Sequence, residues 1–105
     1  MNWNNKQTED LLSTILKLDN LDEAKRFFRD LLTEEELIEF GKRWLTARLL
    51  NEKVSYSNIE KKTGLSSTTI ARVAKWLNSG KGGYKLMIEK LSSHHNNPST
   101  GKGLF

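Results

Sequence analysis

The chain has 105 residues, 36% hydrophobic and 29% charged, with no cysteine and a formal net charge of +4. Such a length suits one domain, and the composition is that of a folding chain, not a disordered one. The missing cysteines exclude disulfides, thiolate metal sites and cysteine nucleophiles, and no apolar run approaches the roughly 20 residues of a membrane helix.

The N-terminus, Met1-Asn2-Trp3-Asn4-Asn5-Lys6, lacks the basic-then-apolar pattern of a signal peptide, so a cytoplasmic protein without a membrane partner is expected. Glycine is absent before Gly41, the single proline is Pro98, and strand-like alternation is nowhere sustained, which points to an all-α chain. Leu11, Leu12, Ile15, Leu16 and Leu18 form an apolar stripe on a first helix over about residues 7–18. Asn20 with Glu23 makes a capping pair that opens a second helix carrying Leu21, Ala24, Phe27, Phe28 and Leu31 and ending near Leu32.

Thr33 with Glu36 is a capping box, and Glu34 and Glu35 complement the positive end of the third helix, expected over Glu34 to Asn51. Its apolar residues, from Leu37, Ile38 and Phe40 through Trp44, Leu45 and Ala47 to Leu49 and Leu50, spread too widely for one stripe. Two buried sides on so short a chain call for a second copy, hence a homodimer. Two short helices follow, Ser55 to Thr63 and Ser66 to Leu77, joined by Gly64-Leu65 with serine at each N-cap. A turn at Gly80-Lys81-Gly82-Gly83 leads to a last helix, Tyr84 to Leu91. Residues 1–91 therefore read as one helical domain and 92–105 as a disordered tail.

The pair over residues 55–77 has the parts of a helix-turn-helix. Ile59, Leu65, Ile70 and Val73 supply the inner face, and Gly64 sits where a left-handed residue is needed. Glu60 departs from the pattern, standing where many such units carry a small residue; an ordinary helical hairpin is the competing interpretation. Tyr56, Ser57 and Lys61 on the first helix, with Ser66, Ser67, Thr68, Thr69, Arg72 and Lys75 on the second, are the candidate contacts to double-stranded DNA. Hydroxyls and the helix N-terminus suit phosphates or base edges, and Arg72 can fork to guanine. Each is also a solvated helix face in its own right.

Charge distribution favours the anionic partner. Residues 1–50 hold 8 Lys+Arg against 10 Asp+Glu, a net −2, whereas residues 51–105 hold 9 against 3, a net +6. The same fold used as a protein-interaction module, without DNA, would not need that split. Enzymatic chemistry has no foothold: His94 and His95 fall in the expected tail, Glu34, Glu35 and Glu36 are explained by the helix start without a metal, and Gly80-Lys-Gly-Gly follows a helix instead of a P-loop strand.

Several segments together resemble the Trp repressor superfamily, and within it the YerC/YecD-type branch. They are Leu32-Thr33-Glu-Glu-Glu, Gly41-Lys42-Arg43-Trp44, Leu49-Leu50, Ser55-Tyr56-Ser57-Asn58-Ile59, Thr63-Gly64, Ser67-Thr68-Thr69-Ile70-Ala71-Arg72-Val73 and Asn78-Ser79-Gly80-Lys81-Gly82-Gly83-Tyr84. The resemblance spans Leu31 to Leu91. It implies a six-helix fold, an intertwined homodimer, and a transcriptional regulator of the repressor type that binds operators through its helix-turn-helix. It also implies effector-pocket positions at Thr33, Arg43, Arg72, Val73 and Trp76. Val73 and Trp76 replace a glycine and a serine there, and their bulk would overpack a site meant for free L-tryptophan, so no corepressor is expected.

Overall fold

A computed structural model describes residues 1–95, and the side chains of the last three of these are left aside. Among the described residues there are six helices and no strand: α1 Lys6–Ile15, α2 Leu21–Leu31, α3 Glu34–Asn51, α4 Tyr56–Thr63, α5 Ser67–Ser79 and α6 Gly83–His95. The chain groups into two compact units, Met1–Leu37 and the part from Ile38 onward.

In the first unit, local capping does most of the specifying. Asn5 accepts from the Thr8 amide at 3.2 Å and Asn20 from the Glu23 amide at 2.9 Å, while Glu23 accepts from the Asp19 amide at 3.0 Å. The Thr33 box closes reciprocally, Glu36 N–H to Thr33 Oγ1 at 3.1 Å and Thr33 N–H to Glu36 Oε1 at 2.9 Å. Helix α1 stops at Ile15, earlier than the apolar stripe suggested. Lys17 and Leu18 donate three residues back, to Thr14 and Ile15, so Leu16 to Leu18 form a tightened terminal turn. Neither α1 nor α2 contains a buried residue. Leu12, Leu16, Leu21 and Leu31 are exposed, and Leu11, Ile15, Phe27 and Phe28 are half-buried.

The second unit holds the core. Ala47 and Leu49 of α3, Ile59 of α4, Leu65 of the turn and Ile70, Val73 and Leu77 of α5 are all buried, with Leu50 and Val54 packed at the edge. Two threonines lie among them, and each satisfies its hydroxyl by donating four residues back, Thr46 to Lys42 O and Thr63 to Ile59 O, both at 2.8 Å. Helix α3 ends in a left-handed turn in which Val54 N–H reaches Leu49 O and Lys53 N–H reaches Leu50 O, with Lys53 at φ 67°.

Helix α5 runs two residues past Leu77, to Ser79. It stops at Gly80, where a Cβ would stand 2.4 Å from the Trp76 carbonyl oxygen. Helix α6 then runs to His95, four residues beyond Leu91, so 92–95 are helical and not tail; the rest of the expected tail lies outside the described residues. Tyr84 stacks on Trp44, ring centroids 6.3 Å apart, tying α6 to α3.

Candidate nucleic-acid interface

Three local devices shape the segment from Ser55 to Ser79. Ser55 caps α4 by accepting from the Asn58 amide at 3.2 Å, and Ser66 caps α5 by accepting from the Thr69 amide at 3.2 Å. Between them Gly64 adopts φ 76°, ψ 4°, and its amide donates to Glu60 O at 2.8 Å. A Cβ there would meet nothing closer than Lys42 Nζ at 3.9 Å, so the left-handed backbone, not space, calls for glycine. Thr63 adds a lock absent from the sequence-based list. Besides donating to Ile59 O, its hydroxyl accepts from the Leu65 amide at 3.1 Å, fixing the turn from inside the core.

These devices turn α5 so that Ile70, Val73 and Leu77 point inward and its other side faces solvent. Tyr56, Ser57 and Lys61 on α4 are exposed, as are Ser66, Ser67, Thr68, Arg72 and Lys75; Thr69 is half-buried. Ser66 and Thr69 are partly committed to the fold, because Ser66 Oγ donates to Thr69 Oγ1 at 3.1 Å besides capping the helix. Glu60, the departure from the usual small residue, is exposed. Ala71 was not among the sequence candidates, yet it is exposed between Thr68 and Arg72. An alanine carries no polarity to flag it, so only the orientation of α5 reveals it.

The charge of this face is mainly positive. Helix α5 contains no acidic residue and α4 contains only Glu60, whereas Lys61, Lys62, Arg72 and Lys75 are all exposed. Among the described residues the ion pairs lie elsewhere, Arg26 with Asp22 and Arg43 with Glu39. A face with four cations against the single carboxylate of Glu60, and a capped, carboxylate-free α5, is electrostatically suited to a polyanion.

The suggested effector positions are not all alike. Thr33, in the first unit, spends its hydroxyl on the α3 cap. In the second unit Val73 is fully enclosed in the core, while Trp76 keeps 44% of its surface exposed. Arg43 lies 5.8 Å over the Phe40 ring, with its Nε 3.4 Å from Glu39 but not aligned for a hydrogen bond. Burial raises the Tyr84 hydroxyl above its ordinary pKa, partly offset by the Arg43 charge. No group of His, Asp and Glu able to hold a metal occurs among the described residues, and no described helix is long and apolar enough to cross a membrane.

Capped α4, a left-handed glycine and a buried stripe on α5 define a helix-turn-helix protein of the all-α class. Comparison with known proteins narrows the class: the model of the Trp repressor protein family matches residues 6–92. The chain belongs to the Trp repressor family, a family of regulators and not of enzymes. It is 38% identical over 86 residues to the uncharacterized protein YerC of Bacillus subtilis (strain 168), covering 82% of this chain and 83% of that one. A solved TrpR-like protein from Eubacterium eligens ATCC 27750 superposes with a TM-score of 0.81 at 40% identity, over 83% of this chain and 90% of that one. A Staphylococcus aureus structure described as a candidate Trp repressor gives 0.79 at 30% identity, over 83% and 87%. The six-helix Trp-repressor-like architecture expected from the sequence is thus the one observed.

Proposed function

We propose that this chain is a sequence-specific DNA-binding transcriptional regulator that docks α5 in the major groove, acts as a homodimer and needs no tryptophan. The observation that carries this reading is the outward face of α5, which is exposed, free of carboxylates and presented by the Gly64 turn. Arg72 would supply base readout from the recognition helix, while Lys61 on α4 would hold phosphate.

The dimer is supported by what a single chain leaves uncovered. Leu12, Leu16, Leu21 and Leu31 of the first unit are exposed, as are Leu86, Met87 and Leu91 of α6. Helices as short as α1 and α2 are marginal without a packed face, and a second copy of the chain would provide one. Two recognition helices would then lie about one DNA turn apart, roughly 34 to 36 Å. Independence from tryptophan is supported by the enclosed Val73 side chain and by the Trp76 indole, which already brings one indole to the flank of α5 beside Arg72.

Fluorescence anisotropy with duplexes selected from a random pool tests the reading. Binding should weaken steeply as salt rises, and Arg72→Ala should weaken selected duplexes about ten-fold or more while sparing random ones. Lys61→Ala should weaken all duplexes alike. Salt-independent binding, or equal effects of both variants, would sink it, and tighter binding on adding L-tryptophan would sink the effector-free part.

A further inference from the structure

On α5 the buried residues Ile70, Val73 and Leu77 are matched by Thr68, Ala71 and Lys75, which repeat the same spacing two residues earlier. At about 100° per residue a two-residue offset places the second set opposite the first, so Thr68, Ala71 and Lys75 are the outermost line of the helix. All three are exposed, and Arg72 lies beside them. The middle of that line is a bare methyl group that the chain leaves exposed.

The chemistry along this face is restricted. From Ser67 to Lys75 there is no amide side chain of the kind that pairs with adenine and no carboxylate of the kind that accepts from cytosine. What remains is one guanidinium, one ammonium, hydroxyls that pair with any base, and two apolar groups, the Ala71 and Thr68 methyls. The one apolar feature of the major-groove edge is the 5-methyl of thymine. A short side chain at the outermost point of the helix also lets the backbone come close enough for a methyl to meet a methyl.

Resting on the docking of α5 proposed above, we infer that Ala71 is a specificity-determining residue that reads the 5-methyl group of a thymine in each half-site, next to the guanine read by Arg72. Ala71 contributes contact, not charge, and its effect is independent of salt.

The test uses the full chain and a duplex recovered by selection. Each thymine is replaced in turn by deoxyuridine, which keeps the base pair and removes only the methyl. One position per half-site should weaken binding about four-fold, the worth of one buried methyl. Ala71→Gly, which removes the contact from both half-sites at once, should weaken the thymine duplex about 16-fold and lose nothing more on deoxyuridine replacement. Insensitivity of every thymine, or the same penalty in the variant as in the natural chain, overturns the inference while leaving docking intact. Because glycine weakens a helix, Ala71→Gln provides an independent arm: repeated selection should exchange that thymine for adenine, and an unchanged preference also overturns the inference. If selection enriches no duplex at all, the docking reading and this one fail together.

Discussion

The two units of this chain are equally well signposted and very unequally packed. Helices α1, α2 and α3 start with side-chain caps as good as those of α4 and α5, yet every residue buried among those described lies between Thr46 and Leu77. Caps and periodicity therefore say where helices are, while burial decides which of them hold together in one chain. The first unit presents amphipathic helices whose apolar faces remain partly uncovered; the second closes a small core around a turn.

The sharpest way to break that comparison is to truncate one residue on each side of it. Ile70→Ala removes a fully enclosed side chain and should cost about 2 to 5 kcal/mol, read as a lower urea midpoint. Leu16→Ala removes a mostly exposed one and should leave the dilute protein nearly unchanged, within about 0.5 kcal/mol. If a second copy covers the first unit, the Leu16 penalty should grow with protein concentration, and an Ile70 penalty that grew in the same way would erase the distinction drawn here.

A smaller effect is expected from Thr63→Val, which keeps the volume and removes the hydroxyl. The Leu65 amide would be left buried without its acceptor, a loss of about 1 to 3 kcal/mol. Hydrogen exchange should show the opening confined to residues around the turn. Protection unchanged at Leu65 would mean that Thr63 is only a space-filler. Gly64→Ala comes next, at about 1 to 2 kcal/mol, because the open space around Gly64 leaves conformation as the sole cost. A much larger thermal shift would point to a steric clash that the geometry does not contain.

Much of this was legible in the sequence where one residue type has one physical use. Gly64 at the turn, Ser55 and Ser66 at the caps and the Thr33 box were readable because their local roles do not depend on distant neighbours. The limits of α1 and α6 were less readable. Leu16 and Leu18 extend the apolar spacing past the point where α1 tightens into its terminal turn, and Ser92 to His95 are polar without being helix breakers, so α6 continues through them. Residues whose meaning depends on tertiary orientation were hidden altogether. Nothing in the sequence shows that the core closes around the Thr63 hydroxyl, and Ala71 carries no polarity to mark it until α5 is turned outward.

The junction between α3 and α4 offers the smallest and most discriminating change. Lys53 adopts φ 67° to let Val54 N–H close on Leu49 O, in a position that glycine occupies without strain. Lys53→Gly should therefore stabilise the chain by up to about 1 kcal/mol, offset in part by the greater freedom of glycine in the unfolded state. Leu49 and Val54 belong to the second unit's core or its edge, so the gain should appear as a higher melting temperature at all protein concentrations. A gain that vanished on dilution would show that the turn is set by a neighbouring copy, and a loss would mean that the lysine side chain contributes more than its backbone costs.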